Sequence, residues 1–246
     1  MTGNGAQSNR NTGRFKRLTV AIDGPAGAGK STVAQKVAKR LGYVYIDTGA
    51  MYRGVTWKVL NAGIEWKDVQ AIADLAAHTT IALIPPPDLT GKQHVQVDGH
   101  DVTAEIRLPE VSQRVSSVAS IPAVRAMLTA QQQAMGATGG VVMDGRDIGT
   151  AVFPYAEVKI YLTASTRERT RRRWQELMAQ GIHVDIGELE QEILARDLAD
   201  SQREVAPLRP ADDAVIVHSD DTSADGVVDL ILDIFEKRRQ LLLVRH

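Results

Sequence analysis

A glycine-rich segment at residues 24–31 restricts the folds open to this chain more than any other feature. It reads GPAGAGKS, follows a short apolar run at 18–23 and precedes a helical pattern that extends to Leu41. Between a strand and a helix, such a loop lets backbone N–H groups approach a phosphate, and the helix presents its positive end to the anion. The predicted residues of this nucleoside-triphosphate site are Gly24, Pro25, Ala26, Gly27, Ala28, Gly29, Lys30, Ser31 and Thr32.

Two residues at the end of this loop have separate predicted roles. Lys30 is expected to reach the β- and γ-phosphates, and the hydroxyl of Ser31 is expected to coordinate Mg²⁺. A glycine-rich turn that binds nothing is the weaker alternative, because both flanking segments fit the motif. GTPase switches, motor ATPases and small-molecule kinases share this loop. The sequence has no N-K-x-D segment for reading guanine, so a GTPase switch is disfavoured.

The rest of the chain alternates between short apolar runs and helical patterns. Four further runs lie at 43–46, 141–143, 158–162 and 215–217. Consecutive apolar positions are typical of strands buried on both faces of a parallel sheet. The alternation therefore predicts a doubly wound α/β fold, with a parallel sheet of the P-loop NTPase type flanked by helices.

Residues 79–120 depart from that alternation. An apolar run at 81–84 meets three prolines at 85–87, which continue neither a helix nor a central strand. Residues 94–97 then alternate apolar and polar side chains before Asp98-Gly99, a pair typical of tight hairpins. We expect a small antiparallel sheet inserted here, followed by helices.

A second irregular region covers residues 165–203. Ser165 and Glu168 fit a capping box at the start of a helix that is expected to reach about Gln180. Gly187 is expected to separate this helix from a second, amphipathic one. Two helices joined by a polar, glycine-containing turn suit a mobile flap.

Composition excludes several classes of protein. The 246 residues include no cysteine, which excludes disulfides, thiolate metal sites, iron–sulfur clusters and a cysteine nucleophile. The formal net charge of −1 argues against a surface built throughout to bind nucleic acid, and no apolar run nears the roughly 18 residues needed to cross a bilayer. Residues 1–16 are predicted to be a disordered tail. We expect a cytoplasmic protein with no nucleic-acid or membrane partner.

The segment 47–53, DTGAMYR, follows the second predicted strand. Carboxyl ends of parallel strands face the ligand in open α/β sheets, so this segment is expected beside the phosphate loop. Thr48 and Arg53 are candidates for holding a second phosphate there. An N-cap threonine and a solvated helix arginine are the equal alternative.

The segment 144–150, DGRDIGT, follows another predicted strand and is expected at the same edge. Asp144 is a candidate to position metal-bound water or the loop lysine. Arg146 and Asp147 are candidates for contacts to ligand groups of opposite charge. A salt-bridged loop is the alternative, and the position at a strand end favours function.

Arginine is used far more than lysine, with 20 residues against 9. Its planar fork of donors suits phosphate and carboxylate groups. Five arginines, at 167, 169, 171, 172 and 173, crowd one predicted helix, where part of the cluster is expected to be solvated. Further along, Arg196, Asp197, Asp200 and Arg203 have helical spacing, for which a surface salt-bridge ladder is the common explanation.

Taken together, these segments resemble the bacterial cytidylate kinase family of P-loop nucleoside-monophosphate kinases. The resemblance covers nearly all of residues 18–240, and its last two segments are the most specific. The segments are GPAGAGKST at 24–32, DTGAMYR at 47–53, PAVR at 122–125, DGRDIGTAVFP at 144–154 and RDLADSQREVAPL at 196–208.

The resemblance implies phosphoryl transfer from ATP to CMP or dCMP with Mg²⁺. A monomer is expected separately, because nothing in the sequence suggests an extended assembly surface. The resemblance also implies one kinase domain at 17–240 with three parts. These are a core (17–46, 137–164 and 205–240), a nucleoside-monophosphate-binding region with the insertion (47–136) and a lid (165–204).

The family pattern also implies roles for individual residues. Lys30, Arg146, Arg196 and Arg203 are the expected catalytic residues, with Arg203 directed at the transferring phosphate. The expected clamp on the acceptor phosphate is Thr48, Arg53 and Arg146, where the family often has serine in place of Thr48. The expected cytosine readers are Ser116, Arg125 and Asp147, and the expected ribose or acceptor contacts are Arg196 and Asp200.

Two other functions remain open at this point. One is a P-loop kinase for another small acceptor, such as UMP or a sugar acid. The other is an ATP-dependent switch or a nucleic-acid-binding protein. The absence of a basic tail and the presence of an insertion with candidate base readers favour the cytidylate kinase.

Overall fold

The apolar run before the glycine loop forms the first strand in a computed structural model of the chain, which describes residues 17–85 and 93–244. The predicted tail at 1–16 and two of the three prolines at 85–87 lie outside the described residues. The strands in chain order are β1 (Thr19–Asp23), β2 (Val44–Asp47), β3 (Ile81–Ile84), β4 (His94–Val97), β5 (His100–Asp101), β6 (Val141–Gly145), β7 (Val158–Thr163) and β8 (Val215–His218).

Eight α-helices, a 3₁₀ turn and a π-helical turn connect the strands within these described ranges. The helices are α1 (Lys30–Leu41), α2 (Thr48–Asn61), α3 (Val69–Ala77), α4 (Pro109–Ala119), α5 (Pro122–Gly136), α6 (Thr166–Ala179), α7 (Ile186–Gln202) and α8 (Ala224–Val244). The 3₁₀ turn is Glu105–Arg107 and the π-helical turn is Ile148–Val152.

Five strands make a parallel sheet in the order β2-β6-β1-β7-β8. Helices α1 and α8 pack on one face, where Ile22, Val142 and Ile160 join their core. On the opposite face, Ala21 and Met143 belong to a second apolar cluster. The predicted α/β fold with a parallel sheet between helices is confirmed.

The central strands of the parallel sheet are more deeply buried than its edge strands. Every residue of β1 and β6 is buried, as their apolar runs predict. The prediction of burial on both faces is wrong for β2 and β8, because each lies at an edge of the sheet. Val44 and Ile216 on those edges are each 53% exposed.

The predicted insertion is a three-stranded antiparallel sheet in the order β3-β4-β5. Asp98 and Gly99 form the turn between β4 and β5, with φ angles of 52° and 82°. Two successive positive φ angles match the twist of a tight hairpin, which explains the Asp-Gly pair. This sheet shares a large apolar cluster with α2, α3, α4 and α5, so it covers the segment that follows β2.

Helices α6 and α7 form a hairpin with a small core of its own. The Ser165 hydroxyl caps α6 as predicted, accepting the N–H of Glu168 at 3.3 Å, but the rest of the predicted capping box does not form, because the Ser165 N–H donates to Asp220 at 2.8 Å. The predicted role of Gly187 is wrong, because it lies in the first turn of α7. Asp185 caps that helix by accepting the N–H groups of Gly187 and Glu188 at 2.8 and 2.9 Å.

A membrane span is not found among the helices of residues 17–85 and 93–244, none of which combines sufficient length with apolar composition.

The small core of the α6–α7 hairpin gives a stability prediction. Leu177, Leu189 and Ile193 are buried there, apart from the main clusters. Ile193→Ala should destabilise the hairpin by about 2–4 kcal/mol, since it leaves a cavity in a cluster with few other contacts. Hydrogen exchange should rise across 166–202 while β1 and β6 keep their protection. Leu198→Ala, at a 54% exposed position, is the control, and equal exchange in both variants would contradict the prediction.

Candidate active site

The glycine loop lies between β1 and α1, as its sequence predicts. Gly24, Gly27 and Gly29 have φ angles of 147°, 76° and 87°, which other residues rarely adopt. A Cβ atom on Gly24 would lie 2.0 Å from the carbonyl oxygen of Leu162, so the loop also needs glycine for its close approach to β7. Helix α1 starts at Lys30, and its unpaired N–H groups make this end favourable for an anion.

Lys30 is buried at the head of α1 and donates to the carbonyl oxygen of Pro25 at 2.7 Å. Burial and the nearby charges of Arg146 and Arg196 hold the pKa of Lys30 well below its usual value. Asp144 and Asp23 only partly offset these effects. The loop lysine therefore lies in a positive environment that a phosphate would neutralise.

Asp144 faces the phosphate loop from the end of β6. Its carboxylate accepts the hydroxyl of Ser31 at 2.9 Å and that of Tyr45 at 2.8 Å. Burial and the neighbouring Asp47 raise the pKa of Asp144 to about 6. A cation would relieve this crowding of negative charge, and hydroxyl and carboxylate oxygens are ligands that Mg²⁺ prefers. The donor set thus fits the metal predicted at Ser31.

Thr48 and Arg53 lie in the first turns of α2. The hydroxyl of Thr48 donates to the carbonyl oxygen of Asp144 at 2.7 Å. Asp47 is the N-cap of α2 and accepts the N–H of Ala50 at 2.8 Å. The alternative prediction that Thr48 is the N-cap residue is therefore wrong. Arg53 pairs with Asp47 at 3.0 Å, and its Nε is buried without a partner among the described residues.

Asp200 connects three elements. Its carboxylate accepts the hydroxyl of Ser116 from α4 at 3.1 Å and Nε of Arg146 at 3.0 Å. Burial acts to raise the pKa of Asp200, but the arginines at 146, 196 and 203 outweigh it and lower the pKa below its ordinary value. The ionised carboxylate of Asp200 on α7 therefore brings together Ser116 of α4 and Arg146 of the segment after β6.

Asp147 is the centre of a second group. Its buried carboxylate forms ion pairs with Nη2 of Arg125 and, at 3.3 Å, with Nη2 of Arg203. Arg125 also lies over the ring of Tyr52, with 5.4 Å from its guanidinium carbon to the ring centroid. Nε of Arg203 donates to the carbonyl oxygen of Ala206 at 2.6 Å. The structure thus groups Arg203 with two predicted cytosine readers, and its role at the transferring phosphate stays a prediction.

Arg196 has fewer compensating contacts. Burial and the charge of Arg146 lower its pKa to about 10, and Arg53 and Arg173 add further positive charge. Its Nε is buried and has no partner in the described parts of the chain. Such a donor costs free energy unless an acceptor reaches it, which points to an anionic ligand.

The charges of α7 pair with other elements. Asp197 binds Arg169 of α6 at 2.6 Å, Asp200 binds Arg146, and Arg203 binds Asp147. The surface salt-bridge ladder is therefore wrong as an explanation. Helical spacing instead places these side chains toward the edge of the sheet.

Two of the five clustered arginines contact the phosphate loop. Arg169 donates to the carbonyl oxygen of Ala26 at 3.1 Å, and Arg172 donates to that of Ala28 at 3.5 Å. Arg171 and Arg173 pair with glutamates on their own helix. The cluster therefore divides, as expected, into an inward part and a part at the surface.

The sequence of the chain matches a known protein family. The model of the family described as cytidylate kinase matches residues 20–237. The chain belongs to the cytidylate kinase family.

Individual relatives agree with this family. A cytidylate kinase from Geobacillus kaustophilus is 51% identical, over 91% of this chain and 98% of that protein. A bifunctional pantoate ligase/cytidylate kinase from Synechococcus elongatus is 50% identical over 91% of this chain. The chain spans only 43% of the length of that relative. Among solved structures, a gluconokinase from Sinorhizobium meliloti 1021 has a TM-score of 0.47 and 15% identity, with 94% of this chain and 98% of that one covered.

The individual contacts of three residues in this candidate site were not anticipated from the sequence. Asp23 accepts the N–H groups of Ile148 and Gly149, Tyr45 donates to Asp144, and Arg169 holds the loop at Ala26. The available signal for Asp23 was a carboxylate at the end of an otherwise apolar run. Tyr45 was expected only as part of a buried strand. Arg169 was expected only as one of five clustered arginines, and the sequence did not single out the members that contact the phosphate loop.

The positive cluster of this site leads to a prediction about stability. Arg196→Met should raise the unfolding free energy of the ligand-free protein by about 1 kcal/mol, because it removes a poorly compensated charge and keeps the aliphatic stem. It should also reduce the rise in Tm caused by sulfate. Thermal unfolding with and without sulfate measures both effects.

Arg40→Met is the control for this prediction, since Arg40 is exposed and pairs with the equally exposed Asp229. It should leave the sulfate response unchanged. A less stable Arg196→Met protein with a full sulfate response would show that the local charges are already balanced.

Proposed function

We propose that this chain transfers the γ-phosphoryl group of ATP to CMP or dCMP, giving ADP and CDP or dCDP. The observation that carries the proposal is the cluster of cations facing the phosphate loop, in which Arg53 and Arg196 each have a buried Nε without a partner in the described ranges. Two anionic nucleotides would supply the missing acceptors. Membership of the cytidylate kinase family supports CMP as the acceptor.

ATP is assigned to the loop at 24–32. Its glycines free the backbone for contact with phosphate oxygens, and Lys30 adds a charge beside them. Lys30 must exchange its hydrogen bond with Pro25 for a phosphate oxygen when ATP binds. The depressed pKa of Lys30 favours that exchange, because an anion would stabilise its protonated form.

Ser31 and Asp144 are the residues that would hold Mg²⁺, directly or through water, together with the nucleotide phosphates. Their oxygens lie 2.9 Å apart beside the loop. When bound, Mg²⁺ neutralises charge on the phosphate oxygens during the transfer. Tyr45 keeps the other Asp144 oxygen hydrogen-bonded, so the carboxylate keeps its orientation toward Ser31.

The acceptor phosphate is assigned to Thr48, Arg53 and Arg146. The Thr48 hydroxyl already donates to the carbonyl oxygen of Asp144, so it must break that hydrogen bond to donate to a phosphate oxygen. It can accept from a protonated phosphate without breaking the bond. The two arginines are held by Asp47 and Asp200, which fixes their direction before any ligand arrives. A clamp of this kind lowers the entropy cost of bringing two reactants together.

Cytosine is assigned to Ser116, Arg125 and Asp147. Cytosine has an amino group that donates, and ring nitrogen and carbonyl groups that accept. A carboxylate beside a guanidinium offers both kinds of partner. The ribose or acceptor contacts are assigned to Arg196 and Asp200. The charges of both act on Arg146 of the acceptor clamp, and the charge of Asp200 also acts on Arg203 of the cytosine group.

In the reaction, an oxygen of the CMP phosphate forms a bond to the γ-phosphorus as the bond from that phosphorus to ADP breaks. The protein needs no covalent nucleophile, since positioning and charge neutralisation supply most of the rate. Lys30, Arg146 and Arg196 neutralise the oxygens around the transferred group. Arg203, from the end of α7, would join them only by leaving its pair with Asp147.

The same proposal divides the molecule into a core, an acceptor-binding region at 47–136 and a lid at 165–204. The separate apolar cluster of the α6–α7 hairpin supports a lid that moves as a unit. A closed lid would exclude water and limit ATP hydrolysis. We also propose a monomer in the cytoplasm, a location supported by the absence of cysteine.

A coupled assay of ADP release tests the proposed activity. CMP and dCMP should stimulate release strongly, and UMP, AMP and GMP should do so less. Lys30→Met should reduce turnover by roughly a thousandfold with the fold intact, because it removes charge from the transferred phosphoryl group. Release that CMP and dCMP leave unchanged would refute a CMP kinase, and stimulation by UMP alone would indicate a different acceptor.

A second variant tests base reading. Asp147→Asn should raise the KM for CMP at least about tenfold while changing the KM for ATP about twofold or less, since it weakens both arginine pairs at the cytosine group. Asp98→Asn is a matched control, because Asp98 is also ion-paired, to Lys58 at 2.7 Å, but lies at the β4–β5 turn. Equal changes for ATP and CMP would indicate a purely structural Asp147.

A further inference from the structure

Asp23 is a buried carboxylate that the proposed chemistry does not use. It is the last residue of β1 and only 4% exposed. One carboxylate oxygen accepts the N–H of Ile148 and the other accepts that of Gly149, both at 2.7 Å. Asp23 thus joins the start of the phosphate loop to the π-helical turn that follows Arg146 and Asp147.

The geometry requires a carboxylate. Two adjacent N–H donors converge on two acceptors, whereas an asparagine offers one acceptor and turns its amino group toward the second donor. Gly149 contributes to the fit, because a Cβ there would lie 3.3 Å from the Asp23 carboxylate and 3.2 Å from Cδ of Lys159. Asp23 and Gly149 therefore form one structural unit across two loops.

This unit has an electrostatic cost. Burial, with a smaller contribution from the charge of Asp147, raises the pKa of Asp23 to about 6 against the opposing effects of the two N–H bonds and Lys30. Tyr161 on β7 is also close enough for the Asp23 charge to affect it, and the Lys159 stem covers Gly149. A costly buried charge whose two oxygens are both held by backbone N–H groups of another segment suggests a role in placing that segment.

We infer that Asp23 is a positioning residue, which holds the loop bearing Arg146 and Asp147 at a set distance from the phosphate loop. The N–H groups of Ile148 and Gly149, the first two residues of the π-helical turn, both donate to Asp23. Loss of the carboxylate therefore frees the segment that carries the acceptor-binding side chains. The inference rests on the proposed function, since it concerns the placement of CMP relative to ATP. Because the phosphate loop keeps its own glycines and helix, the larger effect falls on the acceptor, while the lost charge has a smaller effect on Lys30.

Asp23→Asn tests this inference. The kcat/KM for CMP should fall about tenfold at pH 7.5, through KM more than kcat, while the KM for ATP changes about twofold or less. Hydrogen exchange at the amides of Ile148 and Gly149 should be faster than in the natural protein at the same pH. Asp229→Asn, an exposed carboxylate on α8, is the matched control and should change neither.

The pH profile separates positioning from a merely structural role. Protonation of Asp23 near pH 6 removes the charge that the variant already lacks. The ratio of kcat/KM for CMP between natural and variant proteins should therefore shrink as pH falls from 8 to 5.5. Titration of the CMP phosphate affects both proteins equally and cancels in the ratio. A ratio that is constant with pH would overturn the inference.

Two further outcomes are decisive. Slow exchange at both amides with an unchanged KM for CMP, or equal losses for ATP and CMP, would overturn the inference. If Asp23→Asn fails to fold, Gly149→Ala is tested in its place. A raised KM for CMP with an unchanged KM for ATP supports the inference, and unchanged kinetics overturn it.

The proposed function can fail separately from this inference. If CMP does not stimulate ADP release by the natural protein, the proposed function is refuted, but hydrogen exchange at Ile148 and Gly149 still tests their contact with Asp23.

Discussion

The register of the parallel sheet governs the site. Asp23 lies opposite Gly145 and Asp47 lies opposite Asp144, so the ends of β1, β2 and β6 are level with one another. Because parallel strands all point the same way, each loop that leaves them emerges at one edge. A shift in the pairing of β6 would move its carboxylate away from Ser31 and turn alternate side chains to the other face. The chemistry of the edge therefore depends on hydrogen bonds between strand backbones.

Charge at that edge is concentrated and only partly balanced. Asp147 and Asp200 each bind two partners that include arginine, which orients the guanidinium groups without ligand. Lys30 and Arg196 are less well compensated, and burial with neighbouring cations lowers the pKa of both. The proposed binding of two anionic nucleotides would benefit from this excess, because the ligands would supply the missing negative charge.

Much of the fold was predictable because its signals are local. The glycine loop, the central strands, the Asp98-Gly99 turn and the Ser165 cap all follow from residues within a few positions of each other. The predictions failed where neighbours decide the outcome. Nothing in residues 43–46 shows that β2 is an edge strand, because edge position depends on which other elements pack alongside. The Asp47 cap of α2, in contrast, is local, since Asp47 accepts the N–H of Ala50 three residues further on.

The sequence alone determined a phosphate loop in an α/β sheet, the antiparallel insertion and the resemblance to the cytidylate kinase family, which the family match confirmed. Only the tertiary structure decided which charges meet: Asp197 with Arg169, Arg203 with Asp147, and Asp23 with the turn after β6. The physical reason is distance along the chain. Turns and periodicity are properties of short segments, whereas an ion pair between residues 56 positions apart exists only after strand register and helix packing bring its members together.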